Sequence, residues 1–301
     1  MKKASADKPG RLDPAAVDTD GPSIPALDDA GSFPSIDRGA RFLSLVETIG
    51  VAVAGRTVVD LGTGYGSLAI AAAKAGAAHV IAADANGRRL AEVESRARQV
   101  DASVEVIEAN LLDHKLDIPP ADVAFLIGVV EYAGLWDADR PVEELQRRVF
   151  ISAHRALAPG GVLVFGSKNR LWPRFTVGDV HTGQPLVNAL PRGLAERLSR
   201  LLGRRSYRHH IHTPGHWASL LREAGFRSTH LYFPYFSYQF PVFIEEQPSL
   251  AAIRPLWTMS LSPEEARVAL GRFWLPKALL MAIGGQTGIP LTHSVLITAR
   301  K

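Results

Sequence analysis

Two groups of residues have the types and spacing to do chemistry. The first is Asp60-Leu-Gly-Thr-Gly-Tyr-Gly66, an acidic residue followed by glycines at alternate positions. Glycine lets the backbone turn tightly and approach a ligand, and a helix that follows such a turn offers unpaired amides. Asp60 can accept from those amides or from a cationic ligand group. One strand later, Asp84 supplies two oxygens suited to a pair of ribose hydroxyls. The stretch Gly64-Tyr-Gly-Ser-Leu-Ala69 also satisfies the dinucleotide pattern G-x-G-x-x-G/A. Against a dinucleotide, the glycines begin one residue earlier and follow a carboxylate, a poor neighbour for a pyrophosphate.

The second group is Asp179-Val-His181. A carboxylate two residues from an imidazole can orient it or stabilise its charge, which makes His181 a candidate general base. The alternative is a loop histidine bonded to backbone. His209, His210 and His212 stand further along, but with His181 and Asp179 they match no closed metal-site spacing, so no metal is expected. His212 precedes Pro214, where a residue would cap a helix.

These groups need elements to hold them. Ser35 or Asp37 can cap a helix through Arg41, Phe42, Leu45, Val46 and Ile49. Strand and helix then alternate: strands over Thr57–Leu61, Ala78–Ala83, Val104–Glu108, Val123–Val130 and Val162–Gly166, with helices over Ser67–Ala75, Arg88–Val100 and Val142–Leu157. Such alternation predicts βαβ units in a doubly wound parallel sheet, an α/β fold. The pattern predicts a disordered arm over residues 1–30 and a core over 31–166, then an interruption over 167–213. A core helix and strand follow at 214–233, a second insertion at 234–290, and a closing strand at 291–301. Both insertions follow sheet strands, where ligands of open α/β sheets bind, so they are candidate substrate walls or a cap.

Taken together, Val58-Val-Asp-Leu-Gly-Thr-Gly-Tyr-Gly66, the acidic strand end at Asp84, Ala109-Asn-Leu-Leu112, Ile127-Gly-Val-Val-Glu-Tyr132 and Leu157-Ala-Pro-Gly-Gly161 resemble the class I (Rossmann-like) S-adenosylmethionine methyltransferases. The resemblance implies a seven-stranded sheet and S-adenosylmethionine as cofactor, with S-adenosylhomocysteine as product. It places Asp60, Gly62, Thr63, Gly64 and Gly66 against the amino-acid end of the cofactor, and Asp84 with Ala85 at the ribose. Asn110 and Leu111 would lie near adenine and Gly128 beside the methionine chain. Asn110 stands where the family often has Asp, and Tyr132 replaces a common His after Glu131. Lys168 and Asn169 would then point near the methyl group. A looser resemblance, carried by Asn169-Arg-Leu-Trp172, His181-Thr-Gly-Gln-Pro-Leu186, Leu190-Pro191 and His212-Thr-Pro214, is to bacterial glycan and small-molecule tailoring methyltransferases. It adds Trp172 and His212 to the expected substrate side.

Composition narrows the partners. The 301 residues are 47% hydrophobic and 21% charged, enough apolar content for a substantial core. There is no cysteine, which excludes disulfides, thiolate metal sites and a cysteine nucleophile. The basic N-terminus has no apolar region behind it, and the longest apolar runs fall short of a membrane span, so a cytoplasmic protein is expected. Six arginines from Arg192 to Arg208 fall within 17 residues, opposed only by Glu196. They form either a solvated helix face or a site for an anionic partner: phosphate, sugar nucleotide, lipid headgroup or nucleic acid. The segment Phe233–Phe243 carries six aromatics, Tyr235 among them, in eleven residues. It reads as a core strand, as an apolar acceptor pocket that includes Tyr235, or as a membrane contact. The acceptor expected is a small molecule or glycan, anionic or lipid-linked, methylated on oxygen. A second enzyme reading, motivated by the basic cluster, is methylation of nucleic acid, against which the absence of a recognised RNA module argues. A non-catalytic protein with the same cofactor fold is the alternative from another class.

Overall fold

The computed structural model describes residues 36–113, 116–177, 179, 184–203, 207–235, 238, 243–246, 280, 283, 287 and 289–301. The arm at 1–30, His181, Arg204, Arg205 and most of the second insertion lie outside them.

The strands are β1 (Thr57–Leu61), β2 (His79–Asp84), β3 (Glu105–Glu108), β4 (Ala121–Ile127), β5 (Leu157–Lys168), β6 (Ser228–Tyr235), β7 (Phe243–Glu245) and β8 (Ser294–Arg300). They form one sheet in the order β3-β2-β1-β4-β5-β8-β6-β7. β1 to β5 are parallel, while β8 runs antiparallel between β5 and β6. The α/β class is as expected, but among the described residues the strands number eight rather than seven. The addition is β7, which folds back on the end of β6 inside the stretch read as an interruption.

The helices are α1 (Ile36–Glu47), α2 (Ser67–Lys74), α3 (Gly87–Gln99), α4 (Ala133–Trp136), α5 (Val142–Arg155), α6 (Pro173–Val177), α7 (Arg192–Leu201) and α8 (Pro214–Glu223). β4 is an almost unbroken apolar run because both of its faces are covered. On one face Phe150 of α5, Phe165 of β5 and Trp217 of α8 meet edge to face, with centroids 5.0 to 6.0 Å apart. On the other, Phe42 and Val46 of α1 pack with Leu68, Val93 and Phe125.

Several boundaries differ from the sequence pattern, each for a local reason. β4 ends at Ile127, not Val130, because Gly128 turns the chain at φ +70° and Val130–Tyr132 form a 3₁₀ turn. β5 begins at Leu157, not Val162. Its register jumps from Ala121↔Leu157 to Val123↔Val162, so Pro159 and Gly160 bulge outward, where proline's missing donor is harmless. The inner face of α1 carries Arg38, Gly39, Phe42, Leu43 and Val46, while Arg41 and Leu45 are only half-buried. The interruption from 167 holds the end of β5 and two helices, α6 and α7.

The order reverses at β1: the chain moves outward to β2 and β3, then returns to place β4 on β1's other side. That reversal opens a crevice beyond the carboxyl ends of β1 and β4, the usual ligand position in open α/β sheets.

Candidate active site

The turn after β1 is built from its own hydrogen bonds. Gly62 N and Thr63 N donate to Ala83 O at 2.7 and 3.0 Å, which ties the turn to β2. Thr63 Oγ1 donates to Asp60 Oδ2 at 2.7 Å. Gly64 N donates to Asp84 Oδ2 and Asn86 N to Asp84 Oδ1, each at 3.0 Å. Asp84 therefore straps the turn. It does not cap α3; Asn86 does, accepting from Arg88 N and Arg89 N. A Cβ on Gly64 would meet nothing within 4 Å, so this side of the turn is open to a ligand. From below, α3 supports the turn: Arg96 donates to Tyr65 O at 2.6 Å, and Val93 packs under Gly66.

Asp60 is buried. Burial pushes its carboxyl up to about 6, against the Thr63 hydroxyl and the Arg38 guanidinium, with Asp84 adding to the rise. Arg38, itself buried on α1, donates to Ser67 Oγ at the start of α2, and desolvation lowers it to about 10. The sequence reading missed Arg38. Its signal was the four-residue spacing with Phe42 and Val46, which puts a cation on an apolar face.

The ends of β2, β3 and β4 complete the crevice. Ala109 N donates to Asp84 O at 2.9 Å, which ties the residue before Asn110 to the end of β2. Asn110 Oδ1 accepts from Leu112 N at 3.0 Å, which holds the carboxamide oxygen in a local turn. Leu111 is buried, and its carbonyl accepts from Ser152 Oγ. Gly128 lies under Tyr238: a Cβ there would sit 2.8 Å from the tyrosine hydroxyl.

Behind Gly128 is a buried polar cluster. Tyr238 OH lies 3.4 Å and Lys168 Nζ 3.8 Å from Glu131 Oε1, and Ser167 Oγ donates to Glu131 Oε2 at 3.2 Å. Burial lowers the Lys168 pKa, opposed by the Glu131 and Asp179 carboxylates. Glu131 and Tyr238 were visible only as parts of a strand-end motif and an aromatic run.

Asp179 is buried among Tyr207, Asn188 and His209. Tyr207 OH and Asn188 Nδ2 both donate to its Oδ2 at 3.2 Å, and His209 Nδ1 lies 3.6 Å away. His209 is thus the described imidazole at Asp179. Asn169 is fully buried and spent on structure: Nδ2 donates to Pro290 O and Thr292 Oγ1, and Oδ1 accepts from Leu171 N. Trp172 packs with Phe175 and Ile211 in a small core. Tyr235 ends β6, paired with Phe243, and its side chain is outside the described residues.

His212 is buried with Nε2 2.8 Å from Gln146 Oε1; since Gln146 Nε2 donates to His210 O, the histidine nitrogen carries the proton. Thr213, not His212, caps α8, accepting from His216 N. His212, His216 and Glu143 bring one possible metal-ligand atom each to within 4.8 Å of one another. Burial, then Arg192, then the neighbouring His216, His210 and Arg170 hold His212 neutral.

The arginine cluster divides. Arg192 donates to Ile211 O within the insertion, whereas Arg208 donates to Gly134 O, Asp137 O and Arg140 O and so staples the insertion to the core. Arg197 and Arg200 are exposed on α7.

This strand order, with a glycine turn after β1 strapped by the acidic end of β2, defines a class I, Rossmann-like methyltransferase fold. Residues 58–161 match the family model described as Methyltransferase domain (Methyltransf_25). A ribosomal protein L11 methyltransferase from Pelotomaculum thermopropionicum is 37% identical over 112 residues, 36% of this chain and 32% of that protein, so the chain matches about a third of its relative's length. A solved S-adenosylmethionine-dependent methyltransferase from Mesorhizobium loti shares the fold, with TM-score 0.50 and 22% identity over 89% of this chain and all of that one. Residues 58–161 are therefore similar to a methyltransferase domain, and the chain shares the class I, Rossmann-like fold of the solved methyltransferase. Among the described residues no helix is long and apolar enough to cross a membrane.

Proposed function

We propose that the chain transfers the methyl group of S-adenosylmethionine to a hydroxyl of a small molecule or glycan, free or lipid-linked. The observation that carries the reading is the Gly64 turn, open above and strapped below by Asp84. In this account Asp84 exchanges part of that strap for the ribose hydroxyls, Ala85 lines the ribose, and Asn110 and Leu111 flank adenine. The methionine chain lies along the backbone of Gly62, Thr63, Gly64, Gly66 and Gly128, on the side that Gly64 leaves open, with Asp60 near its ammonium. The bound sulfonium supplies an activated methyl; the protein aligns the acceptor, excludes water and removes a hydroxyl proton. His181, assisted by Asp179, is the base in this reading.

The acceptor class is read by incubating the protein with methyl-deuterated S-adenosylmethionine and fractionated bacterial extract. Label in a small-molecule, glycan or lipid-linked fraction that survives mild base supports an ether. Label confined to ribosomal protein would move the acceptor to the class named for the Pelotomaculum relative.

A pH dependence follows from Asp60. Its carboxyl, raised to about 6 by burial, is neutral below that pH and charged above it. Only the charged form attracts the cofactor ammonium. Affinity should therefore tighten as pH rises from 5 to 7, and weaken by roughly tenfold per unit below the transition. Asp60→Asn should flatten this profile. An unchanged slope in that variant, measured by calorimetry, would remove Asp60 from the cofactor site.

A further inference from the structure

We infer that α7 and the loop leading into it form a docking surface for an anionic lipid bilayer. Seven large apolar side chains are substantially exposed among the described residues, and five lie between 177 and 202: Leu201 at 84%, Val177 at 71%, Leu194 at 49%, Leu186 and Leu202 at 48%. Side chains of this size left in water, grouped in one stretch, mark a surface that meets something.

Helix geometry puts them on one side. At 3.6 residues per turn, Leu194 and Leu201 are two turns apart on the same face, with half-buried Leu198 alongside. Arg197 and Arg200, both exposed, occupy the adjoining arc. The opposite face is anchored: Ala195 packs with Val187 and Tyr207, and Ser199 Oγ bonds to Gln184 Oε1 and Ala195 O. Upstream, Leu186 N donates to Val177 O at 3.2 Å, so those two exposed side chains sit on adjacent backbone, and Leu190 N returns to Leu186 O just before the helix. The helix cannot turn its leucines inward without breaking these contacts.

Charge chooses the occupant. A leucine strip edged by arginines fits a bilayer, with the leucines at the acyl boundary and the guanidiniums on lipid phosphates. A nucleic acid would meet the arginines but leave the leucines in water. A second copy across a two-fold axis would bring Arg197 and Arg200 toward their own counterparts. Arg204 and Arg205 extend the basic run in sequence. The surface is independent of the methyl-transfer reading, because it uses none of the cofactor residues and is tested without cofactor.

The test is co-sedimentation of the full chain with vesicles of phosphatidylcholine mixed with phosphatidylglycerol, and of phosphatidylcholine alone. The protein should pellet with the mixed vesicles, much less with the neutral ones, and less as salt rises. Arg197→Ala and Arg200→Ala should each weaken binding about fivefold. Leu201→Ala should weaken it by about tenfold, as expected for a buried leucine end. These exposed substitutions should leave the thermal midpoint unchanged. No binding to mixed vesicles overturns the proposal, as does equal binding by wild type and Leu201→Asp. A wild-type dimer in sedimentation equilibrium that Leu201→Asp dissociates, with no vesicle binding, would reassign the face to self-association.

Discussion

Gly64→Val should lose S-adenosylmethionine binding by at least about a hundredfold while the protein stays folded. Two costs combine. Gly64 sits at φ +57°, a region that a β-branched residue enters with strain of about 1–2 kcal/mol. That strain falls on the turn itself, because a Cβ at this position meets no protein atom within 4 Å. The larger cost falls on the ligand, since the branched side chain would fill the open space that the cofactor's amino-acid end must occupy. Asp84→Ala should also weaken binding while leaving the protein folded, because the turn keeps its ties to Ala83 O even without the carboxylate strap. It still removes charge-assisted acceptors for the ribose, each worth about 1.5–3 kcal/mol. Equilibrium dialysis reads affinity and circular dichroism reads the fold. Wild-type affinity in folded Gly64→Val would place the cofactor elsewhere.

His181→Ala should lower kcat by about 10²–10⁴-fold, the usual contribution of a positioned base, with cofactor affinity unaltered. Asp179 complicates the simple pair, because its carboxylate also binds Tyr207, Asn188 and His209. Asp179→Asn should therefore lower both kcat and the thermal midpoint. His209→Ala separates the two imidazoles. His209 is fully buried against Asp179 and the edge of Tyr132, so its loss should act mainly on stability. Normal kcat in His181→Ala with a collapsed kcat in stable His209→Ala would transfer the role to His209.

What the sequence disclosed and what it hid follow from range. The glycine turn, Asp84 and the strand–helix alternation are local: a few adjacent residues carry both pattern and cause. β4 was legible because a strand covered on both faces must be apolar throughout. The insertion of β8 between β5 and β6 was not, since antiparallel pairing such as Phe165↔Ile297 leaves no mark on either segment alone. The Glu131, Lys168 and Tyr238 cluster was hidden for the same reason; Tyr238 is 107 residues from Glu131. α7 is a different case. Leu194, Leu198 and Leu201 have helical spacing, but the surrounding arginines, glycines and prolines gave the stretch the composition of a loop.

The glycine-turn site should take S-adenosylmethionine and not a dinucleotide, although Gly64–Ala69 satisfies the dinucleotide pattern. Isothermal titration of the wild-type chain with S-adenosylmethionine, S-adenosylhomocysteine and NAD tests this directly. One molecule of either adenosyl compound should saturate each chain, each displacing the other, with no heat from NAD. Saturable NAD binding with none for the adenosyl compounds would contradict it.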